Sequence, residues 1–236
     1  MFRLKFESSD QNLGLPIGKH IKIHCTRGDE EIARSYTPVS LDHDLGHVDL
    51  AIRIYFPNEE HTEGGVVSQY VHSLKVGQTV AISGPYGNIT YEGYGRFSMK
   101  NGEKVTVSKI TMIAGGTGIT PMLQILRHIW RLKNDKTKIK LIYANKDLGE
   151  IMLYGPISEI ERNLDKGQLE TYHVLKNPPP DFAYGKGRIS NEMLISYGWA
   201  PSEDTIALCC GRPKINKIMI EKLKEIGYQE SQIYCF

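Results

Sequence analysis

Ile110-Thr111-Met112-Ile113-Ala114-Gly115-Gly116-Thr117-Gly118-Ile119-Thr120-Pro121 decides the fold. An apolar run of strand length enters a glycine turn, and Leu123, Leu126, Ile129 and Trp130 then recur at helical spacing. Strand, glycine loop and helix in that order open a parallel α/β unit. Free N–H groups and the helix dipole at such a start make a seat for an anion, with Thr120 placed to cap and Pro121 to sit at N1. The pattern is G-x-G-x-x-P, and the next strand ends at Asn145-Lys146 without the acid that the ordinary dinucleotide fingerprint carries about 20 residues on.

A glycine loop by itself also serves tight strand-to-helix packing. A second loop, Cys210-Gly211-Arg212-Pro213-Lys214, leaves the strand Thr205 to Cys209 for a helix carrying Ile215, Ile218, Met219, Leu223 and Ile226, with Gly227 placed to end it. Between them lies a strand over Lys140 to Tyr143 and a helix near Ile157 to Leu164. Ligands collect at the carboxyl ends of parallel strands, so two such loops point to nucleotide binding.

Upstream the period is two. Ile21, Ile23 and Cys25 alternate with Lys22 and His24, and Val48, Leu50, Ile52 and Ile54 alternate with polar or small partners. Turn-rich segments at Gly14 to Gly18, Asp42 to Gly46, Gly64-Gly65, Gly84 to Asn88 and Gly93 to Gly95 space these strands as in a small antiparallel barrel, interrupted by one helix near Ser68 to Leu74. The polar stretch Ser98 to Lys104 reads as the link between the two halves, and Met1 to Phe6 reads as the middle of a strand.

Composition narrows the classes. Against 27 acidic residues stand 29 basic ones, a formal charge of +2 that is too balanced for a dedicated nucleic-acid binder. A hydrophobic share of 40% and a charged share of 24% exclude disorder and collagen. Apolar runs such as Ile206-Ala207-Leu208-Cys209-Cys210 fall far short of the ~20 residues of a membrane helix. Cys25, Cys209, Cys210 and Cys235 form no disulfide framework, which favours a reducing compartment; adjacent Cys209 and Cys210 would face opposite sides of one strand. No paired-histidine module is present to bind heme, and no metal ligand set is expected.

Arg34-Ser35-Tyr36-Thr37-Pro38-Val39-Ser40 matches the R-x-Y-T-x-x-S motif of the ferredoxin reductase-like flavoproteins, and Gly64-Gly65-Val66-Val67-Ser68-Gln69-Tyr70 resembles their phosphate loop. With Gly84-Pro85-Tyr86-Gly87, the 115–121 loop, Cys210-Gly211 and terminal Phe236, the whole chain resembles the cytochrome b5 reductase and nitrate reductase flavin-domain family. The resemblance implies two domains: a six-stranded antiparallel β-barrel holding FAD over residues 1–104, its leading strand apparently missing, and a parallel, Rossmann-like α/β domain binding NADH or NADPH over 105–236.

FAD presents a diphosphate and a flat ring, so its site needs a fixed cation and an aromatic on one strand face; Arg34 and Tyr36, two apart, supply them. By resemblance Arg34 pairs with the diphosphate beside Ser35, Tyr36 packs along the cofactor, and the Thr37 hydroxyl approaches flavin N5 with His20 behind it. Ala51, Arg53 and Phe56 would line ring and ribityl chain, while Gly65, Val66, Val67 and Ser68 match the turn gripping the diphosphate. The family often carries Lys-Met where this chain has Val66-Val67, which keeps backbone contacts and loses a side-chain cation. Thr120, Cys210 and Gly211 fall where the nicotinamide meets the flavin, and Gly116, Lys176, Arg212 and Phe236 are further implied cofactor-binding residues. The implied catalytic set is Thr37, His20, Thr120 and Cys210; His20 also fits as a core histidine and Cys210 as a buried thiol.

Two departures bear on the donor. Lys176 follows Tyr172-His173-Val174-Leu175 where the family's NADH users carry an acid, and Arg188, Arg212 and Lys214 add cations that match a 2′-phosphate. The expected acceptor is cytochrome b5 or another heme protein, met through a basic face to which Lys19, Lys22, Arg53, Lys75 and Arg96 contribute. A nitrate reductase flavin module, or an interaction subunit keeping the fold with lost nucleotide activity, are the alternatives. The resemblance implies an intracellular place, at a cytosol-facing membrane surface of the endoplasmic reticulum or mitochondrion or soluble in the cytoplasm, with any anchor in a segment outside this sequence.

Overall fold

The computed structural model describes residues 1–59 and 62–236. Its N-terminal half is antiparallel. β1 (Phe2–Lys5) pairs with β4 (His47–Leu50), while β2 (His20–Arg27) lies between β3 (Glu30–Tyr36) and β5 (Ala81–Tyr86). β6 (Ile89–Gly93), β7 (Arg96–Met99) and β8 (Lys104–Thr106) form a meander, and α1 (Val66–Ser73) intervenes between β4 and β5. The alternation of Ile21, Ile23 and Cys25 puts one face of β2 inward, against Val48, Leu50, Val67 and Val71.

Three local readings differ from the expectation. The strand read through Ile54 stops at Leu50, because the chain then leaves the sheet and Ala51, Ile52 and Arg53 turn to line a cleft. Residues 98–104 are not a free link but the tip of the β7–β8 hairpin, where Gly102 N–H closes the turn on Met99 at 3.0 Å; their polarity reflects an exposed turn. α1 begins at Val66, two residues earlier than hydropathy placed it.

The C-terminal half is the expected parallel sheet, in the order β12-β11-β10-β9-β13-β14. Its strands are β9 (Lys109–Gly115), β10 (Lys138–Asn145), β11 (Leu169–Leu175), β12 (Gly185–Lys186), β13 (Thr205–Cys210) and β14 (Ile233–Cys235). α2 (Ile119–Arg131), α3 (Tyr154–Asn163), α4 (Asn191–Tyr197) and α5 (Pro213–Glu225) cover it. Thr120 does not cap α2. The 3₁₀ turn over Gly116–Gly118 runs straight into the helix, so Gly118 is the N-cap, Pro121 lies beyond N1, and the Thr120 hydroxyl instead donates to Thr117 O at 3.1 Å. The short β12, α4 and β14 carried too little periodicity to be read.

α2 is buried on nearly every side from Ile119 to Leu126, since it is held between the sheet and the barrel. Ile119, Met122 and Leu123 share one core with Val39, Ala51, Tyr91 and Phe97, so the apolar interior crosses the seam between the halves without a break. Polar groups pin the same seam. Asp135, 2% exposed, accepts from the Tyr91 hydroxyl at 2.5 Å and Tyr94 N–H at 2.7 Å on the barrel side, and from Thr137 N–H and hydroxyl at 3.0 and 2.6 Å on the other. Gln124 accepts from Gly18 N–H at 2.6 Å, and Arg127 donates to Val39 O.

Asp135→Asn would place an amide donor among four donors, and the expected cost is about 3 kcal/mol of unfolding free energy, measured by denaturant titration. Burial also pushes the imidazoles of His20, His128 and His173 below the usual histidine range. The folded chain protonates these rings at lower pH than the unfolded chain, which takes up protons from pH ~6.5 downward, so their contribution reduces stability as pH falls through that value. Melting at about pH 5.5 and pH 7.5 checks this; replacing His128 with Gln should shrink the difference.

Candidate functional site

Strand order reverses between β9 and β13, and at the carboxyl ends of these strands a cleft of about 820 Å³ opens against the barrel. That volume is within the range of small-molecule and cofactor sites. One wall is β3 with residues 50–53 and Tyr55; the turn 63–68 closes one end; the facing wall is Thr117, Gly118, Thr120 and Pro121 with Cys210, Gly211, Arg212 and Phe236.

At one end the lining is charged with both signs, Arg27 and Arg34 beside Glu30, Glu31 and Glu63, and Arg27 is held by Glu63 at 2.9 Å. Arg34 lines the cleft, exposed, with its guanidinium donating to the Ala33 carbonyl at 2.8 Å, and it makes no ion pair among the described residues. Beside it α1 starts at Val66 with Gly65 as an N-cap that has no side-chain hydrogen bond. The first N–H groups of a helix have no acceptor within it, and those of Val66, Val67 and Ser68 belong to residues lining the cleft. The turn is locked by Gly65 N–H donating to Tyr55 O at 2.8 Å, Ser68 Oγ to Gly65 O at 2.8 Å, and Tyr55 N–H to Ser68 Oγ at 3.2 Å. A Cβ on Gly65 would lie 2.6 Å from Ser68 Oγ.

Farther along, Ser35, Tyr36, Thr37 and His20 continue the barrel wall. Burial raises the Tyr36 phenol to about 12, so it stays protonated. His20 stacks on Tyr86 with ring centroids 6.0 Å apart; burial first, then Lys22 and Lys19, lower its pKa.

The facing wall depends on a close approach of two loops. A Cβ on Gly118 would lie 2.1 Å from the Cys210 carbonyl oxygen, a backbone atom that cannot step aside. The Cys210 thiol is raised to about 12 by burial, so it shapes the wall as a neutral group and offers no thiolate. Phe236 lines the same face.

Three sequence-predicted residues lie off the cleft lining. Phe56 is exposed and meets His72 edge-on at 5.3 Å; its neighbour Tyr55 takes the wall position. Gly116 turns its carbonyl to the Tyr143 hydroxyl at 3.1 Å. Lys176 stands just past β11, its N–H on Asn145 O at 3.0 Å, at the edge of the sheet. Arg53 does line the cleft, but its guanidinium crosses to the other half, donating to the Glu150 carboxylate at 3.0 Å and to the Glu150 carbonyl at 2.6 Å. Sequence gave no hint of Glu150, 97 residues away. Tyr55, Thr117, Gly118 and Pro121 adjoin predicted positions and were missed only individually.

An aromatic-walled end beside an unpaired cation and free N–H groups suits FAD, which presents a ring system and a diphosphate, and the glycine cradles hold no side chain that would fill the space. Arg34, Val66, Val67 and Ser68 would hold the diphosphate, with Tyr36 and Thr37 along the ring. Among the described residues no three His, Cys, Asp or Glu side chains gather to hold a metal.

Comparison with known proteins finds a family for each half. Residues 1–91 match the oxidoreductase FAD-binding domain, and residues 112–221 match the oxidoreductase NAD-binding domain. NADH-cytochrome b5 reductase 2 of Mus musculus is 37% identical over 243 aligned residues, covering 100% of this chain and 88% of that protein. NADH-cytochrome b5 reductase 1 of Dictyostelium discoideum is also 37% identical, covering 100% and 76%. The solved cytochrome b5 reductase domain of Ulva prolifera nitrate reductase superposes with a TM-score of 0.94 at 32% identity, covering 100% of this chain and 90% of that one.

The two glycine contacts separate the two halves of the site experimentally. Gly118→Ala is expected to weaken dinucleotide binding at least tenfold while FAD is retained, and Gly65→Ala to lose FAD first. Titration calorimetry with the dinucleotide and flavin stoichiometry after gel filtration distinguish the two outcomes.

Proposed function

The chain belongs to the NADH-cytochrome b5 reductase family of FAD- and NAD-binding oxidoreductases, and from that premise we propose that it takes reducing equivalents from a reduced nicotinamide dinucleotide and delivers them singly to a heme protein of the cytochrome b5 type. The observation that carries this reading is the single cleft walled by both halves, with Arg34, Thr37 and the α1 start on one side and Gly118, Thr120 and Cys210 on the other. Bound FAD supplies the chemistry, accepting two electrons together and releasing them one at a time.

The chain's own residues have geometric and electrostatic work. The close Gly118–Cys210 approach makes that wall of backbone without a side chain, and with Thr120 and Gly211 it would hold the dinucleotide against the cleft. Thr37 offers a hydroxyl donor where charge changes, and the neutral Cys210 and His20 add no competing nucleophile or cation. The Arg53–Glu150 pair ties the two walls and sets their spacing. Phe236 and the ring of Tyr36 give the cleft apolar wall surface.

The acceptor reading draws support from surface charge beside the His20 end. Lys22 lies 4.5 Å over the Tyr86 ring, Lys19 donates to Gly87 O at 2.9 Å, and burial, followed by repulsion from Lys100, lowers the Lys19 pKa. These lysines make no ion pair among the described residues, and an acidic heme protein would be drawn to them. Arg53 is committed to Glu150 and leaves this face.

Acceptance of NADPH alongside NADH is favoured by a second observation. Lys146 and Lys176 follow β10 and β11, and Gly187 N–H on Leu175 O at 2.7 Å brings the end of β12 and Arg188 to the same edge. All three cations are exposed and none pairs with a carboxylate among the described residues, which suits a ribose 2′-phosphate.

Anaerobic rapid mixing of the FAD-loaded chain with NADH or NADPH tests the first reading, with bleaching of the flavin's visible band as the expected result. A chain that stays yellow with both is an interaction subunit. Lys176→Asp is expected to move the NADPH/NADH ratio of kcat/KM about tenfold toward NADH, which corresponds to ~1.4 kcal/mol. With cytochrome b5 as acceptor, kcat/KM should fall with rising salt, and Lys19→Glu with Lys22→Glu should flatten that dependence.

A further inference from the structure

β13 and β14 run parallel, and Cys209 stands in register with Cys235. Residues in register on neighbouring parallel strands share a face, and strands lie about 4.8 Å apart, inside the ~4.4–6.8 Å that a disulfide spans between Cα atoms. Packing shows the shared face directly. Cys209 is wholly buried among Ile113, Val174 and Met219, and Cys235 packs against the same cluster while remaining partly exposed. One residue on in each strand, Cys210 and Phe236 pack on the opposite face and line the cleft, and Phe236 N–H donates to Cys209 O at 3.1 Å.

We propose that Cys235 and Cys209 form a hydroperoxide-sensitive thiol pair that closes reversibly into a disulfide directly behind the cleft wall. The pair is suited to that order of events by exposure: Cys235 is partly exposed and meets the hydroperoxide first as the attacking sulfur, while wholly buried Cys209 is the resolving thiol, and the hydrogen bond from Cys209 lowers the Cys235 pKa. The Cys235 sulfur attacks one oxygen of ROOH; an S–O bond forms, the O–O bond breaks, and RO⁻ leaves and takes a proton. The Cys209 sulfur then attacks the sulfenic sulfur; the S–S bond forms, the S–O bond breaks, and hydroxide leaves with the Cys209 proton as water. Two thiols lose two electrons and the hydroperoxide becomes ROH and water.

Closing the bond requires the two Cβ atoms to approach from roughly the strand spacing of about 4.8 Å to about 3.8 Å. β14 must shift on β13, and Phe236 and Cys210 shift with it. A bond formed under that demand is readily reduced, so a dithiol restores the open form. The effect on the cleft rests on the reductase reading above; the thiol chemistry does not.

The full FAD-loaded chain is treated with equimolar hydrogen peroxide, alkylated under denaturing conditions and read by intact mass and peptide mapping. The expected product lacks two hydrogens, carries a Cys209–Cys235 cross-link that dithiothreitol removes, and leaves Cys25 and Cys210 alkylated. Cys209→Ser should convert the product to a dimedone-trapped sulfenic acid at Cys235. Four free thiols, or oxidation beginning at Cys210 or Cys25, would overturn the proposal. Flavin reduction by the nucleotide, compared before and after oxidation, should slow several-fold and recover with dithiothreitol; an unchanged rate overturns the link to the cleft. A chain that fails to reduce flavin in either state overturns the reductase reading, while the mass measurement still decides the thiol pair.

Discussion

A buried carboxylate holds the two halves of this molecule in one register. Asp135 spends one oxygen on Tyr91 and Tyr94 of the barrel and the other on Thr137 of the α/β half. In a nearly water-free seam such a group is tolerated only with all its acceptors engaged, so the arrangement admits one mutual orientation. The apolar core that runs from Phe97 and Val39 to Met122 and Leu123 supplies the attraction and little direction; Asp135, Gln124 and Arg127 supply the direction.

Everything at the cleft inherits that orientation. Neither half has a complete site, since the cation and the α1 start come from the barrel and the Gly118–Cys210 contact from the sheet. Where Gly118 meets the Cys210 carbonyl the wall is backbone with no room for a side chain, and the neutral Cys210 thiol beside it offers no base. Arg53 illustrates the same economy. Its guanidinium, placed to line the cleft, also bridges the walls through Glu150.

The parallel arrangement of β13 and β14 gives the C-terminus two roles on its two faces. Phe236 and Cys210 meet the cleft, and Cys235 and Cys209 lie behind them with their sulfurs on one side. Strand alternation thus couples a thiol pair to a binding wall through single peptide units, with no intermediate element to absorb a shift.

What the sequence determined by itself was local and periodic. The switch from period two to strand, glycine loop and helix fixed the antiparallel and parallel halves, because alternation and helical spacing follow from backbone geometry alone. The Arg34 to Ser40 and Gly64 to Tyr70 motifs were legible through their resemblance to a known flavoprotein family, and residues of both segments line the cleft. Tertiary structure decided the rest. Thr120 lost its capping place to a preceding 3₁₀ turn, Phe56 yielded the wall to Tyr55, and the 98–104 stretch closed as a hairpin. Glu150, Asp135 and the Cys209–Cys235 register depend on contacts between residues far apart in the chain, and no pattern along a sequence specifies which distant groups a seam will bring together.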